Sequence, residues 1–296
     1  MPKSLIDEVV SASPNRRRFL KTLAAASAGV TAMSMTGVTP AKAQSATPTP
    51  TEIEVLQFAL NLEYLEAEFY TYVVNGHGID YYGLGISGEA NGANPASGGV
   101  TTGGSLVGFN NAFQFDTFAT FSDIANDERN HVTLLRTALG SQAIAKPNIN
   151  LNALGFGFGS QYEALKLARI FEDIGVSAYA GGAGLLSTSS VITTAARILA
   201  AEAEHVTGVR YQIALLNVAT APIDGADLIP PPSGSLGQLF SLYHNNGLAA
   251  TRTPGEALYL AFGNQANATS GGFFPSGVNG ALVESSGPAT AANLAT

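Results

Sequence analysis

Apolar residues recur at helical spacing in four stretches of the chain, and one glutamate interrupts each apolar stripe. The predicted helices cover about residues 51–74, 111–139, 160–186 and 191–216. The glutamates on their stripes are Glu63, Glu128, Glu172 and Glu202. The first helix opens on a capping box, formed by Thr51 and Glu54. Four amphipathic helices of this length predict an all-α fold, a four-helix bundle over residues 52–217 with carboxylates facing its core.

Two segments lack this periodicity. Residues 75–110 are dense in Gly and Asn, which predicts a long irregular insertion between helices one and two. Residues 218–296 begin with a Pro-rich break and form a predicted C-terminal extension. Within the extension, Thr253-Pro254-Gly255-Glu256 is typical of a helix start and predicts a short helix from Pro254 to about Phe262.

The N-terminal segment has the pattern of an export signal. Asn15-Arg16-Arg17-Arg18-Phe19-Leu20-Lys21 fits the twin-arginine motif, an Ala-rich stretch follows, and Ala41-Lys42-Ala43 is an Ala-x-Ala cleavage site. We therefore predict a signal peptide over residues 1–43, a linker over residues 44–51, and export by the twin-arginine translocase to a periplasmic or secreted location. A basic amphipathic helix is the alternative interpretation. The apolar stretch is too short and too weakly apolar to predict a membrane span.

Composition excludes several kinds of chemistry. The chain has no cysteine, so disulfides, cysteine-held zinc or iron–sulfur sites and a cysteine nucleophile are excluded. Residues 1–43 hold six of the 14 Lys and Arg residues and two of the 22 Asp and Glu residues, which leaves 8 basic and 20 acidic residues and a net charge of −12 after them. This acidic balance argues against nucleic acid or an anionic membrane as a partner and is compatible with attracting cations.

The sequence Glu-x-x-His occurs twice, on the second and fourth predicted helices. The pairs are Glu128 with His131 and Glu202 with His205. Residues three apart lie one turn apart on one helix face, so both side chains of a pair can reach one metal ion. With Glu63 and Glu172 they form the four-glutamate, two-histidine set of di-iron and di-manganese bundles. A metal would also account for the inward-facing glutamates, because an uncompensated buried carboxylate costs several kcal/mol.

A tyrosine follows two of these glutamates at a fixed spacing. Tyr70 lies seven residues after Glu63. Tyr179 lies seven residues after Glu172. The order Glu, Tyr, Glu-x-x-His therefore occurs twice and implies a pseudo-two-fold axis through the metal pair. Seven residues are two turns, so we predict that each tyrosine lies on the stripe of its own glutamate and hydrogen-bonds within the site. A plain core tyrosine is the alternative interpretation.

Other acidic residues are alternative ligands. Glu66, one turn after Glu63, could replace or supplement it, although the tyrosine spacing favours Glu63. Glu163 or Asp173 could stand in for Glu172, but both lie off the apolar stripe. The remaining candidates are predicted to face away from the site: Glu204, His77 and His244.

The pattern resembles the ferritin-like superfamily, which includes rubrerythrin and bacterioferritin. The segment from Asn61 to Tyr70 is similar to the desiccation-related and stress-response branch, as are residues 252–254 and 272–280. The resemblance implies that the metal ligands are Glu63, Glu128, His131, Glu172, Glu202 and His205. The Gly-rich insertion departs from the compact ferritin layout and argues against a storage cage.

Together with this resemblance, the residues favour an exported dimetal oxidoreductase or metal-binding stress protein. It would hold two divalent metal ions, iron or manganese, and would oxidise metal or consume O₂ or peroxide. Glu128 and Glu202 would bridge or chelate the ions, and each histidine would anchor one ion. Tyr70 and Tyr179 would orient ligands or act as redox neighbours. The alternative is a non-catalytic desiccation or stress protein whose metal is structural. A homo-oligomer is compatible with either function. Carboxylate and imidazole ligands suit both metals, so the sequence does not choose between them.

Overall fold

The structure, a computed structural model, describes residues 50–109, 114–235 and 247–294. The predicted signal peptide, residues 44–49 of the predicted linker and His244 lie outside these residues. The α-helices are α1 (Pro50–Asn75), α2 (Gln114–Leu139), α3 (Gln161–Gly182), α4 (Ser189–Leu215) and α5 (Pro254–Ala261). Short 3₁₀ turns cover Ile79–Tyr82, Gly140–Gln142, Ala183–Leu185 and Ala291–Leu294. The strands β1 (Thr101–Thr102) and β2 (Ile149–Asn150) pair in parallel, with Thr101 opposite Ile149. Helices thus make up the described residues apart from loops and these two short strands, which confirms the predicted all-α bundle.

Four of the helices pack as two pairs. α1 packs mainly against α2, and α3 mainly against α4, while α1–α3 and α2–α4 contacts join the two pairs. The core between them is aromatic and aliphatic, and its fully buried members include Leu60, Phe69, Tyr70, Phe121 and Leu165. Among the described residues, no helix combines the length and the apolar character that a membrane crossing requires.

The helix ends differ from the predicted ones for local reasons. α1 begins at Pro50, since a proline fits a first turn whose N–H groups have no helical partner. Thr51 therefore lies inside the helix, and the predicted capping box does not mark its start. In the first turn of α1, the buried carboxylate of Glu52 accepts hydrogen bonds from the backbone N–H groups of Ser187 and Thr188, just before α4. α3 ends at Gly182, earlier than predicted, because the chain tightens there into a 3₁₀ turn.

The Gly-rich insertion is mostly irregular, as predicted, apart from one 3₁₀ turn and the two-residue strand β1, and it lies directly against the loop after α2. A Cβ on Gly88 would lie 2.1 Å from the carbonyl oxygen of Ala143, and a Cβ on Gly99 would lie 2.4 Å from the backbone nitrogen of Asn148. Glycine is required at both positions because the two backbones approach so closely. The high glycine content therefore reflects close packing of this segment onto the bundle.

The C-terminal extension is fastened to the bundle by buried polar side chains. Asn61 Nδ2 on α1 donates to the carbonyl oxygen of Asn279 (2.8 Å), and the backbone N–H of Asn279 donates to Asn61 Oδ1 (3.0 Å). Arg252 Nε donates to Asp224 Oδ2 (2.9 Å), and its Nη1 donates to Ser177 Oγ on α3 (2.7 Å). The described parts of the extension thus brace α1 and α3 from outside. The short helix predicted at Pro254 begins there, on a capping box of Thr253 and Glu256.

Candidate metal centre

The two Glu-x-x-His motifs and the two remaining stripe glutamates converge in the middle of the bundle. One group of side chains, whose potential ligand atoms lie within 4.8 Å of one another, is Glu63, Glu128, His131 and Glu202. A second group that meets the same limit is Glu128, Glu172, Glu202 and His205. Glu128 and Glu202 belong to both groups. The side chains therefore outline two adjacent positions with two shared carboxylates between them.

Each histidine faces carboxylates from other helices. His131 Nδ1 lies 3.2 Å from Glu63 Oε2 and 3.3 Å from Glu202 Oε1. His205 Nδ1 lies 3.0 Å from Glu128 Oε1 and 3.5 Å from Glu172 Oε2. The glutamate and histidine of each Glu-x-x-His motif lie one helical turn apart. α2 and α4 therefore each present both side chains of a motif to the same interior space. The helical repeat thus brings all six predicted residues together.

The centre contains buried polar atoms that the protein leaves without hydrogen bonds. All four glutamates are 0% exposed. Both carboxylate oxygens of Glu128 and of Glu202, one oxygen of Glu172 and Nδ1 of His205 have no hydrogen-bond partner. His205 Nδ1 is within 3.0 Å of Glu128 Oε1, but this contact lacks hydrogen-bond geometry. Buried polar atoms are normally satisfied, and carboxylate oxygens with imidazole nitrogens are the ligands that iron and manganese accept. The donor set therefore fits two divalent cations.

The surrounding carboxylates shift the pKa values of both histidines in the metal-free protein. Burial by itself lowers the pKa of His131, but Glu63 and the neighbouring carboxylates raise it far above its ordinary value. Burial opposes protonation of His205 too, yet Glu172 and Glu128 raise its pKa to about 12. Burial alone would raise the pKa of Glu128, but the two histidines hold it well below its usual range. Without metal, the imidazolium groups supply the positive charge that the carboxylates require.

The remaining carboxyls respond to burial and to one another. Burial raises the pKa of Glu63 from 4.5 to about 7, opposed by His131 and reinforced by Glu128. Burial, followed by repulsion from the other glutamates, raises the pKa of Glu202 and of Glu66 well above the ordinary value. In the metal-free protein these three carboxyls therefore hold their protons to higher pH than an exposed glutamate does. A metal ion would have to displace these protons.

The two tyrosines cross between the halves of the site. Tyr70 Oη on α1 donates to Glu172 Oε1 on α3 (2.5 Å), and Tyr179 Oη on α3 donates to Glu63 on α1. The spacing argument associated each tyrosine with the glutamate of its own helix, whereas each contacts the glutamate of the other helix. Seven residues span about 10.5 Å along a helix, so the glutamate on the same helix is out of reach. The two hydrogen bonds are equivalent under the internal repeat, since the tyrosine of each half contacts the glutamate of the other half.

Glu66 breaks the symmetry of the repeat. It is buried, yet it is in neither group of converging ligand atoms. Glu66 follows Glu63 by three residues, and the equivalent position after Glu172 is Gly175. A Cβ on Gly175 would lie 2.7 Å from Glu202 Oε2 and 3.1 Å from Glu66 Oε1. Because Gly175 has no side chain, the carboxylates of Glu66 and Glu202 occupy the space beside it.

The other alternative ligands have different roles. Glu163 accepts hydrogen bonds from the backbone N–H groups of Gly157 and Gly159, at the loop before α3. Asp173 is buried, but it faces away from the centre and pairs with Arg169 Nε and Arg210 Nη1, both at 2.9 Å. Neither residue belongs to a group of converging ligand atoms, whereas Glu172 does, so neither replaces Glu172. Two residues that were predicted to face elsewhere are exposed: Glu204 and His77.

Asp127 is a neighbour of the centre that the spacing argument missed. Its Oδ2 lies 3.3 Å from His205 Nε2, on the opposite edge of the ring from the carboxylate cluster, and its side chain is half exposed. Such a partner fixes ring orientation in metal-binding histidines. No helical period links Asp127 to His205, because they lie on different helices. Asp127 also lines an open groove of about 480 Å³ between α2 and α4, together with Asp123, Asn126, Glu204 and His205.

A buried carboxylate–histidine cluster inside four helices, in which two glutamates belong to both groups of ligand atoms, is compatible with the metal sites of carboxylate-lined helix bundles. Comparison with protein families agrees with this class, because residues 51–215 match the ferritin-like domain. The chain belongs to the ferritin-like domain family. A comparison with curated proteins found no match.

Proposed function

We propose that this chain is an exported ferritin-like protein that binds a carboxylate-bridged pair of iron or manganese ions and uses them to oxidise metal or to consume O₂ or peroxide in stress protection. The observation that carries the proposal is the concentration of buried ligand atoms without hydrogen bonds at Glu128, Glu172, Glu202 and His205. Binding two divalent cations would satisfy these atoms and balance their charge.

The six residues have separate roles in this proposal. Glu63 and His131 would hold one ion, and Glu172 and His205 would hold the other. Glu128 and Glu202 would lie between the ions, because both belong to the two groups of ligand atoms. A bound iron or manganese pair would supply one-electron redox chemistry at this position.

The surrounding residues hold these side chains in place. Tyr70 and Tyr179 each bind one carboxylate oxygen, which fixes the rotamer of a terminal glutamate and leaves its second oxygen facing the cluster. Asp127 holds the outer edge of His205 and so keeps Nδ1 directed inward. Burial of all four glutamates keeps bulk water away from the cluster.

Complete burial of the glutamates also favours a second candidate, in which the metal is structural and the protein protects the cell without catalysis. The two functions differ in reactivity. A catalytic centre consumes peroxide once it is loaded, whereas a coordinatively closed centre does not.

Metal analysis of the purified protein tests the central proposal. The wild-type chain is expected to retain two ions per chain, and the Glu128→Gln/Glu202→Gln variant is expected to lose them. The matched control is Glu204→Gln, an exposed glutamate on α4, which should retain both ions. Equal metal content in the wild type and the double variant would refute the proposal.

Export is tested separately, since it rests on the N-terminal motif. Replacing Arg16 and Arg17 by lysine is expected to retain the protein in the cytoplasm of a host that has the twin-arginine route. Unchanged export of that variant would contradict the proposed route without affecting the metal site.

A further inference from the structure

An apolar cavity of about 30 Å³ lies beside the candidate metal centre, at the junction of α1, α3 and α4. Its lining includes Leu56, Phe58, Ala59, Ala178, Tyr179 and Ala195. Ala195 and the neighbouring Leu186 are half-buried, so the outer end of the cavity lies close to the surface. Its inner wall includes the Tyr179 ring, whose hydroxyl donates to Glu63.

The chemistry of the wall determines what this cavity can hold. A cavity needs only about 10–15 Å³ to admit one small molecule the size of water, but a buried water also needs two to four polar partners. Of the side chains that line it in the described part of the chain, Tyr179 alone carries a polar group, and that hydroxyl is engaged with Glu63. Water is therefore poorly held there, and a small apolar molecule is favoured.

The cavity and the groove at Asp127 approach the centre with opposite chemistry. The groove lies on the α2–α4 side and is lined by Asp123, Asp127 and Glu204, so it suits cations and polar solutes. The cavity lies where α1 and α3 meet the first half of α4, and its lining side chains are hydrocarbon apart from Tyr179. An apolar oxidant and a polar oxidant would therefore approach by different sides.

We propose that the cavity is the binding and access site for molecular oxygen, an apolar diatomic, on the Glu63 side of the metal centre. Its consequence for reactivity rests on the proposed function, but the cavity and its preference for apolar gases do not require metal. Hydrogen peroxide is polar and has no partners along this wall, so it would use the groove instead.

Xenon binding to the metal-free protein tests the cavity itself. Crystals of the wild-type chain pressurised with xenon are expected to show a xenon peak in the cavity, and Ala195→Leu is expected to lose it. Ala196→Leu is the matched control, because it makes the same change at the next residue of α4, which is exposed. Absence of xenon from the wild-type cavity would overturn the proposal.

A milder variant guards against misfolding of Ala195→Leu. Gly182 also lines the cavity and has a φ of −74°, and a Cβ there would meet Val55 Cγ1 at an ordinary 3.7 Å. Gly182→Ala should therefore fold normally while reducing the xenon peak. An undiminished peak in this folded variant would show that xenon lies elsewhere.

Oxidation kinetics test the route to the centre. A bound pair of Fe²⁺ ions would supply two electrons, with which O₂ and two protons would give H₂O₂. With added H₂O₂ as oxidant, the same two electrons and two protons give two molecules of water. The cavity-filling variants are expected to slow oxidation by O₂ and to leave oxidation by H₂O₂ unchanged. Equal effects on both oxidants, or no effect on either, would refute the inference.

The outcomes separate this inference from the proposed function. A wild-type protein that binds xenon but retains no metal refutes the function and leaves the gas site intact. A variant that retains its two ions, loses xenon and still reacts with O₂ at the wild-type rate refutes the access route alone.

Discussion

Replacing Glu63 by glutamine is expected to stabilise the metal-free protein at neutral and alkaline pH, although it removes a proposed metal ligand. Burial is the main cause that raises the pKa of Glu63 from 4.5 to about 7. The unfolded chain releases this proton above pH 4.5, whereas the folded chain retains it until about pH 7. Folding stability from this group is therefore fully present below pH 4.5 and is lost as the pH rises to about 7.

The size of the effect follows from the same two values. One pKa unit corresponds to about 1.36 kcal/mol, so the difference between 4.5 and about 7 lowers the free energy of unfolding by about 3 kcal/mol above pH 7. Glutamine cannot ionise and still accepts the hydrogen bond from Tyr179. Glu63→Gln should therefore recover about 3 kcal/mol at pH 8, or roughly 6–12 °C in melting temperature for a chain of this size.

Urea denaturation of the chelator-treated protein at pH 5 and pH 8 measures this difference. The stabilisation by Glu63→Gln should be much larger at pH 8 than at pH 5. Glu204→Gln is the control, because Glu204 is exposed and its neutralisation should change little at either pH. A Glu63→Gln variant that is destabilised at pH 8, or equally stabilised at both values, would show that the reasoning about the buried cluster is wrong.

The same cluster makes three other changes measurable. The pKa values of His131 and His205 are raised in the metal-free protein, so metal uptake should release protons and the apparent affinity for Mn²⁺ should rise with pH. Calorimetry in two buffers that differ in ionisation enthalpy measures the proton release. An affinity that does not change with pH would contradict this expectation. Gly175→Ala would place a Cβ 2.7 Å from Oε2 of Glu202 and should lower the metal content of the protein. Gly184→Ala is the control and should leave the metal content unchanged, because the space around its Cβ is open. Tyr70→Phe removes the buried hydrogen bond to Glu172, which should lower the free energy of unfolding by about 1.5–3 kcal/mol. It should also weaken the binding of one of the two proposed ions more than the other. Equal loss of both ions would contradict the assignment of Glu172 to one ion.

The helical repeat was enough to select the residues that converge. One glutamate on each apolar stripe and a histidine three residues after two of them placed six side chains on inward faces, and the structure brings those six together. This worked because the direction of a side chain from a helix depends on local geometry alone. The start of α5 was predictable for the same reason, since its capping box is a contact between neighbours in sequence.

Contacts between different helices were not predictable in this way. The spacing correctly placed the tyrosines near the site, but the structure alone shows that Tyr70 and Tyr179 exchange partners across it. The same holds for Asp127 against His205, and for Asp173, which pairs with arginines although it is adjacent to Glu172. Each of these partners is chosen by how two helices pack against one another.

The sequence by itself determined that four helices each carry a glutamate on the inward stripe, and that two of them also carry a histidine there, because periodicity is a property of a single helix. Tertiary structure decided that two of those glutamates are shared between both groups of ligand atoms, and that Gly175 leaves space beside Glu66. It also decided that the Gly-rich segment lies against the loop after α2. These features depend on distances between elements far apart in the chain, which the packing of the whole core sets and no local pattern encodes.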